Sequence, residues 1–332
     1  MAEKKLTMSD IAKMAGVGKS TVSRYFNGGY VKNETKEKIR KVIEKYNYEP
    51  NVLAQMLKAK KTNIIGIITP TLDSITSSRM IMSMDEYVRS KGYTPLIINT
   101  NHDELRELKS IQNFSKLNVD GIVLLATHLT MAHQKMTTDL NLPIVILGQS
   151  FKYGISVVYD DYNAGYDLGK YVADHGHKDI LVVGVNNKDE AVGVIRKQGI
   201  YDALHDGGVK NIHFIESTFS FDYTLSKISE YLNQHTLPTI IICLTDNQAL
   251  ACYKELTLRG LKVPEDVSLA GFGGYEASEL ITPNLTTIRF ENEEAGCIAG
   301  KAIIDLIEEE KVDKEMRIDY VLIEGESVKK LS

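Results

Sequence analysis

From Asn63 onward, short apolar runs alternate with longer amphipathic segments, and this alternation limits the possible fold more than any other feature of the sequence. The runs are rich in isoleucine, valine and leucine and lack a polar residue at every second position, which is typical of strands covered by helices on both faces. They lie at residues 63–69, 94–100, 121–127, 143–148, 155–159, 179–185, 239–245 and 267–273. Helical segments are predicted between them at residues 77–91, 103–117, 162–175, 189–206, 222–234, 246–260 and 291–310. This order predicts doubly wound α/β sheets, and the strands are too many for one compact sheet, which favours two similar lobes.

The first 50 residues have a different pattern and contain the stretch GKST at residues 18–21, which resembles the end of a nucleotide-binding P-loop. A P-loop requires a glycine five residues before Gly18 and a buried strand in front of it. This chain has Lys13 at that position, and the preceding residues have a helical rather than a strand pattern. The stretch therefore does not predict an NTPase.

The same region is better explained by three short helices. The sequence TMSD at residues 7–10 has the form of a capping box, which predicts a helix from Met8 to Ala15 that ends at Gly16. A second helix at about residues 19–26 follows after a turn of the length found in a helix-turn-helix. Asn33 is predicted to cap a third helix, whose apolar residues recur at the spacing that covers the other two.

The distribution of charge indicates what this helical unit binds. Residues 1–62 contain 14 Lys and Arg and 6 Asp and Glu, a net charge of +8, whereas the remainder carries −13 and the whole chain −5. A basic head on an acidic body is typical of a protein whose head meets phosphates. Together with the helix-turn-helix pattern, the charge asymmetry predicts binding to double-stranded DNA.

Other classes of protein are less consistent with the sequence. The three cysteines form no C-x-x-C pair, no metal-ligand spacing is evident, and no cofactor is predicted. Neither a membrane-spanning run nor a signal peptide is apparent, so we expect a cytoplasmic protein that does not bind membranes. The stretch GFGGYE lacks the last glycine of a dinucleotide fingerprint, and no catalytic constellation emerges from the eight histidines, of which His175 and His177 are predicted in an exposed loop. The chain is therefore not expected to be an enzyme.

Several segments resemble the lactose-repressor (LacI/GalR) family of bacterial transcription regulators. The resemblance begins with the head sequence LTMSDIAKMAGVGKSTVSRYFNGG and extends through LPIVILGQ, VYDDYNAG, VGVIRKQGIYDAL and LTDNQALACYKELTLRGLKVPEDVSLAGFGG to PNLTTIRF. It implies a repressor with a helix-turn-helix head, a hinge helix and a two-lobed body like that of periplasmic sugar-binding proteins, in which the chain crosses between lobes three times. The implied divisions are residues 1–48 for the head, 49–61 for the hinge, and 62–332 for effector binding and dimerisation. The N-lobe would comprise about 62–160 and 290–320, and the C-lobe about 161–289 and 321–332.

In such a regulator the second helix enters the major groove. Lys19, Ser20 and Arg24 would lie toward base edges, where Lys and Arg donate to guanine. Polar residues around this helix would hold phosphates or the flanking backbone, and these are Thr7, Thr21, Ser23 and Asn27. The resemblance further places Asn51, Ala54 and Leu57 on a hinge helix in the minor groove, with Leu57 wedged into a base step. It implies a homodimer on a pseudo-palindromic operator.

The effector is expected between the lobes, beyond the carboxyl ends of the strands. By resemblance, Gln149, Arg196 and Asp246 hold ligand hydroxyls, and the neighbouring strand ends add Asp73, Ser74 and Gly273. The family often has an acidic residue where this chain has Gly273 and Gly274. The cleft segments are most similar to those of sucrose operon repressors and next to those of trehalose repressors, so a sugar or a phosphorylated sugar held by Arg196 and Arg79 is expected.

The sequence leaves several alternatives open. The effector can release the repressor from DNA or act as a corepressor, a trehalose-6-phosphate-responsive regulator is the second reading of the cleft, and a phosphocarrier protein as corepressor stays open. A transport-associated sugar-binding protein shares the two-lobed body, but it needs a signal peptide and does not need residues 1–60.

Overall fold

The computed structural model describes residues 6–26, 29–48 and 61–331 of the chain. The chain divides into two compact units, residues 1–62 and residues 63–332, which are described separately. None of the described helices is long and apolar enough to span a membrane.

The first unit contains three helices, α1 (Met8–Ala15), α2 (Lys19–Phe26) and α3 (Asn33–Tyr46). Helix α1 begins at the predicted capping box and ends at Gly16, whose positive φ of 66° is the left-handed conformation that glycine adopts readily. The helices enclose a small core that includes Ile11, Val22 and Ile39, each without solvent exposure. The prediction that Asn33 caps α3 is wrong: Lys32 occupies the cap position, and its side chain makes no capping hydrogen bond.

The second unit contains two six-stranded sheets. The strands of the first are β1 (Ile64–Thr69), β2 (Thr94–Asn99), β3 (Gly121–Leu125), β4 (Ile144–Leu147), β5 (Ile155–Tyr159) and β11 (Glu315–Ile318). Their order is β11-β5-β4-β3-β1-β2, and all neighbours are parallel. The helices of this lobe are α4 (Ile75–Ser90), α5 (Glu104–Lys116), α6 (Met131–Asp139) and α12 (Asn292–Ile307).

The second sheet has the same organisation. Its strands are β6 (Asp179–Gly184), β7 (Asn211–Glu216), β8 (Ile240–Cys243), β9 (Ser268–Phe272), β10 (Thr286–Phe290) and β12 (Tyr320–Ile323). Their order is β12-β10-β9-β8-β6-β7, and only β12 is antiparallel to its neighbour. The helices are α7 (Asp161–Asp174), a π-helix (Ala191–Arg196), α8 (Lys197–Asp206), α9 (Phe221–Gln234), α10 (Asp246–Leu258) and α11 (Glu276–Leu280). The predicted fold, a helical head with a body of two mostly parallel sheets, is confirmed.

The chain passes between the two lobes three times. Each passage has a single residue between regular elements, namely Asp160, Glu291 and Asp319. The rings of Tyr159 and Phe290, which end two of the crossing strands, lie 4.8 Å apart. The lobes are therefore joined by three very short connections that lie side by side.

Two glycines allow the first helices of the second lobe to pack closely. A β-carbon on Gly165 would clash with the backbone oxygen of Arg196, and one on Gly199 would clash with that of Tyr162. Because these two residues have no side chain, the backbones of helices α7 and α8 can come into contact, and this contact positions the π-helix that precedes α8.

The predicted exposure of His177 is wrong. Its side chain is fully buried, and Nε2 donates a hydrogen bond to the carbonyl oxygen of Lys329 at 3.1 Å. Burial lowers the pKa of His177 to about 4, since the charged ring would lose its hydration there. This buried histidine anchors the segment around Lys329 to the second lobe.

Candidate DNA-reading helix and interlobe cleft

The second helix of the head presents one polar face to solvent. Lys19, Ser20 and Arg24 are exposed, whereas Val22 on the opposite face is fully buried. At 100° per residue the three exposed side chains lie within about half of the helix circumference. Within the described residues, neither Lys19 nor Arg24 forms an ion pair. Both side chains thus lie on the exposed face of α2.

The other residues predicted to contact DNA differ in their surroundings. Thr21 and Ser23 are half-buried at the margins of the exposed face. Thr7 is engaged within the head, because its hydroxyl donates to Asp10 Oδ2 at 2.6 Å and accepts from the Asp10 N–H at 3.3 Å. Four predicted contacts lie outside the described residues, and these are Asn27, Asn51, Ala54 and Leu57.

In the second unit, the loop after β1 carries two of the predicted effector contacts. Asp73 is exposed, and its N–H donates to the Thr71 hydroxyl at 3.0 Å. Ser74 is the cap residue of α4 and accepts from the Ser77 N–H at 3.4 Å. Both residues therefore shape the start of α4, where the Asp73 side chain is exposed.

Gln149, which follows β4, connects the two lobes. Its Nε2 donates to Asp189 Oδ1 at 3.0 Å, and its Oε1 accepts from the Ala191 N–H at 3.1 Å. Burial raises the pKa of the Asp189 carboxyl, and the Val192 N–H and Gln149 amide oppose that rise. Both ends of one buried amide are thus bound by the opposite lobe, and the amide oxygen satisfies the Ala191 N–H in the first turn of the π-helix.

Arg196, at the end of the π-helix, is buried and has its own counter-ion. Its Nε and Nη2 donate to Asp161 Oδ1 at 2.8 and 2.5 Å, and its Nη1 donates to the Leu244 carbonyl oxygen at 2.7 Å. The guanidinium carbon lies 4.9 Å from the ring centres of both Phe272 and Phe290. Burial raises the pKa of the Asp161 carboxyl, and the guanidinium counteracts this effect. Three donors of the predicted ligand arginine are therefore already bound inside the protein.

Asp246 is also enclosed. It is the first residue of α10 and has no solvent exposure. Its Oδ1 accepts from the Thr287 hydroxyl at 2.6 Å, and its Oδ2 accepts from the Ser278 hydroxyl at 2.8 Å and the Tyr275 N–H at 3.1 Å. Burial raises the pKa of this carboxyl against the effect of its hydrogen bonds. In this arrangement Asp246 joins three segments of the second lobe.

The ring of Tyr275 lies beside Gly273 and reaches the first lobe. A β-carbon on Gly273 would meet that ring at 2.7 Å, so the glycine leaves the space that the ring occupies. The Tyr275 hydroxyl lies 3.1 Å from the Thr76 hydroxyl, and next to it Arg79 Nη2 donates to Glu276 at 3.2 Å. A second set of contacts thus joins the lobes at the start of α4.

A cavity of about 250 Å³ opens on the Gln149 side of the cleft. It is lined from the first lobe by Thr127, His128, Leu129 and Gln149, and from the second by Asn187, Lys188, Glu190 and Val194. His128 Nδ1–H donates to the Lys188 carbonyl oxygen at 3.0 Å across one edge of the cavity. The lining combines hydroxyl, amide and charged groups with two apolar side chains, which suits a small polar ligand.

The predicted effector residues therefore fall into different surroundings. Gln149 lines the cavity, Arg196 and Asp246 lie in buried networks, and Asp73 and Ser74 lie in the loop after β1. Among the residues that face the cleft, sequence reasoning did not single out Lys188, Asp189, Glu190, Tyr275 or Glu276. A usable signal existed, since the polar stretch NNKDE begins two residues after the end of β6 and the pair Tyr-Glu directly follows GFGG.

The sequence matches known proteins in both units. Residues 7–51 match the bacterial regulatory proteins of the lacI family, and residues 170–328 match the periplasmic binding protein-like domain. The sucrose operon repressor of Staphylococcus xylosus is 33% identical over 314 residues, which cover 94% of this chain and 97% of that protein. The chain belongs to the lacI family of bacterial regulatory proteins.

Two further comparisons describe the range of this LacI-family protein's relatives. The HTH-type transcriptional repressor PurR of Pasteurella multocida is 30% identical over 326 residues, covering 95% of this chain and 97% of that protein. The crystal structure of the Lac repressor dimer bound to operator and the anti-inducer ONPF has the same fold, with a TM-score of 0.89 at 22% identity. That match covers 98% of this chain and 100% of the other.

Family membership confirms the prediction of a DNA-binding transcriptional regulator rather than an enzyme. The comparisons do not support a phosphocarrier protein as corepressor. Because the identities to the sucrose operon repressor and to PurR are similar, the comparisons do not identify the effector of this protein. Among the described residues, no group of three or more His, Cys, Asp or Glu could hold a metal ion.

Proposed function

We propose that this LacI-family protein represses a sugar-utilisation operon and leaves its operator when a small sugar or sugar phosphate binds between the lobes. The observation that carries the proposal is the cavity beside Gln149, which lies between the lobes and is lined by groups that hydrogen-bond hydroxyls. The identity to a sucrose operon repressor supports sucrose or its component sugars, with their phosphates, as the ligand class.

For the DNA side, we assign base contacts to Lys19, Ser20 and Arg24. Their exposure on one face of α2 supports this role, since the first turns of a recognition helix reach base edges. Thr21 and Ser23 are assigned to phosphates, while Thr7 acts by fixing the start of α1. The hinge contacts of Asn51, Ala54 and Leu57, the homodimer, the pseudo-palindromic operator and the cytoplasmic location complete the proposal.

Coupling between ligand and DNA follows from the contacts between the lobes. A ligand changes the equilibrium between two arrangements of the lobes only to the extent that it binds one arrangement more tightly than the other. A sugar beside Gln149 offers hydroxyls to Asp189 and to the Ala191 N–H, and so changes the contacts that join the lobes. In a dimer this movement would change the spacing of the hinges and lower the affinity for the operator.

The test combines ligand binding with DNA release. Operator fragments selected from genomic DNA are bound to the full-length protein and followed by fluorescence anisotropy while glucose, fructose, sucrose, trehalose and their phosphates are added. We expect one of these sugars to weaken operator binding in the anisotropy measurement. The same sugar should raise the melting temperature of the protein in a separate thermal-shift measurement. Stronger operator binding with a sugar would assign the corepressor direction instead, and no response to any sugar would contradict the proposal.

A matched pair of variants tests the DNA assignment. Lys19→Ala should alter the preferred base at one operator position, whereas Lys41→Ala removes another exposed lysine, on α3, and should leave the preference unchanged. A uniform loss of affinity across all sequences in Lys19→Ala would make Lys19 a phosphate contact.

A further inference from the structure

The contact between Tyr275 and Thr76 joins the two lobes through groups that both belong to the chain. The Tyr275 hydroxyl lies 3.1 Å from the Thr76 hydroxyl, which is within hydrogen-bond distance. Burial raises the pKa of Tyr275, so the phenol stays protonated at neutral pH and can donate. Thr76 lies in the first turn of α4, in the first lobe, and Tyr275 directly precedes α11, in the second. This hydrogen bond therefore holds the starts of two helices from opposite lobes together without requiring a small molecule.

The ring of Tyr275 can lie in this position because residue 273 is a glycine. A β-carbon at Gly273 would lie 2.7 Å from Cε1 and 2.9 Å from Cζ of the ring. These distances are shorter than the optimal separation of non-bonded carbon atoms by about 1 Å, so a side chain at residue 273 would displace the ring. Gly274 is restricted as well, since it has a positive φ of 60° and a β-carbon there would meet Arg289 Cβ at 2.5 Å. The two glycines thus permit the contact between Tyr275 and the first lobe.

Asp246 holds the backbone that carries Tyr275. Its Oδ2 accepts from the Tyr275 N–H at 3.1 Å and from the Ser278 hydroxyl at 2.8 Å, while its Oδ1 accepts from the Thr287 hydroxyl at 2.6 Å. Hydrogen bonds to a buried carboxylate are stronger than those between neutral groups. In the part of the chain that the structure describes, the hydrogen-bond partners of Asp246 all belong to the second lobe. Asp246 therefore fixes the start of α11 on β10 and acts on the first lobe only through Tyr275.

The neighbouring ion pair contributes less to the contact between the lobes. Arg79 Nη2 lies 3.2 Å from Glu276 Oε1, but the Glu276 side chain is 88% exposed. Water screens such a pair, and two long side chains lose rotamer freedom when they form it. The hydrogen bond of Tyr275 is therefore expected to dominate.

We infer that Tyr275 holds the lobes in the arrangement that binds the operator, and that Asp246 is the residue that positions Tyr275. The inference rests on the proposed function in one respect, since the arrangement that a sugar disturbs is the one that binds DNA. It gives Asp246 a positioning role in place of the ligand contact that the family resemblance implies. A ligand that moves the lobes apart has to break the hydrogen bond of Tyr275 as well as bind, so this bond opposes release from the operator.

The experiment compares full-length Tyr275→Phe with the wild type by amide hydrogen exchange and by operator binding, both without added sugar. Loss of the hydrogen bond should speed exchange by about fivefold in the first turn of α4 as well as in α11. Operator binding should weaken by about twofold or more, because fewer molecules have the binding arrangement. The control Tyr166→Phe removes a hydroxyl that donates to Asp206 at 2.9 Å within the second lobe, and it should change neither measurement.

The role of Asp246 is tested with the same two measurements. Asp246→Asn should speed exchange in the first turn of α4, although residue 246 lies in the other lobe. Ser278→Ala removes one hydrogen bond from Asp246 and should have the same effect at about twofold, which keeps the test decisive where Asp246→Asn does not fold. The control Asp266→Asn changes a carboxylate that accepts from the Lys262 N–H at 2.8 Å within the second lobe, and it should leave α4 unchanged.

Two results would overturn the inference. Unchanged exchange in α4, or unchanged or tighter operator binding, in Tyr275→Phe would show that Tyr275 does not hold the lobes. Faster exchange confined to the second lobe in Asp246→Asn and Ser278→Ala would reduce Asp246 to a local structural residue. If a sugar releases the wild type while Tyr275→Phe behaves like it, only this inference fails. If no sugar releases the wild type but Tyr275→Phe binds the operator more weakly, the proposed function fails and the role of Tyr275 stands.

Discussion

The buried pair of Arg196 and Asp161 gives the most informative prediction, because its geometry assigns a structural role to a residue that the family resemblance assigns to the ligand. Both side chains are almost without solvent exposure, at 7% and 2%, and the arginine makes three hydrogen bonds. Replacing Arg196 by Met leaves the Asp161 carboxylate buried without its cation. Removing one partner of such a pair costs about 3–5 kcal/mol of the free energy of unfolding.

For a body of this size the loss corresponds to a fall in melting temperature on the order of 10 °C. Scanning fluorimetry of full-length Arg196→Met measures it, and the double variant Arg196→Met/Asp161→Leu should recover most of the loss because it removes both buried charges. Burial raises the pKa of Asp161, and without its cation the carboxyl becomes easier to protonate. Arg196→Met should therefore be less destabilised at pH 5 than at pH 8.

The control is Lys170→Met, which breaks an exposed ion pair with Asp174 and should shift the melting temperature by no more than about 1 °C. The reasoning is refuted if Arg196→Met melts within about 2 °C of the wild type and yet loses its response to every sugar, since Arg196 would then be a ligand contact.

Three further predictions concern other contacts. The pKa of His177 is about 4 in the folded protein against 6.5 in the unfolded chain, so the unfolded chain takes up the proton first and the folded state loses stability as the pH falls from 6.5 to 4. His177→Gln removes this proton uptake, so the difference in unfolding free energy between pH 7 and pH 4 should be smaller than in the wild type by up to about 3 kcal/mol. Denaturant titrations at the two pH values measure it. An equal loss in the variant would assign the acid sensitivity to other groups. Thr7→Ala removes the capping box with Asp10 and should destabilise the head by about 1 kcal/mol and weaken operator binding, with circular dichroism on melting as the measurement, whereas an unchanged head would contradict this role. Gly199→Ala places a methyl group against the backbone of Tyr162 and should lower the melting temperature of the body by several degrees, and normal melting would indicate that α8 can shift at no cost.

Much of the fold was predictable because buried parallel strands have an unmistakable composition. The predicted strand at residues 155–159 coincides with β5, and the other predicted runs extend past the observed strands by one to three residues. Strands β7, β10, β11 and β12 were not predicted, and three of them lie at sheet edges, whereas β10 is buried between β9 and β12. Strand β7 is mostly exposed, and β11 contains two charged residues, since both lie at sheet edges and have one side open to solvent.

The site was less predictable than the fold. The sequence indicates which residues follow each strand, but it does not indicate whether a polar side chain there faces the cleft or a partner inside the protein. Asp246 and Arg196 illustrate this limit, because Thr287 and Asp161, which bind them, lie 41 and 35 residues away along the chain. The cavity itself depends on where the two lobes meet and on the π-helix, which the sequence pattern predicts only as part of one helix at residues 189–206.

The passage between β11 and β12 has a consequence for how this protein is made on the ribosome. Residues 315–318 complete the first sheet and residues 320–323 complete the second, with only Asp319 between them. Neither lobe has all of its strands until this short segment emerges from the ribosome, although most of each lobe has been synthesised long before. A chain interrupted upstream of Glu315 would lack an edge strand in both lobes at once. Completion of both lobes therefore depends on one segment that is synthesised late.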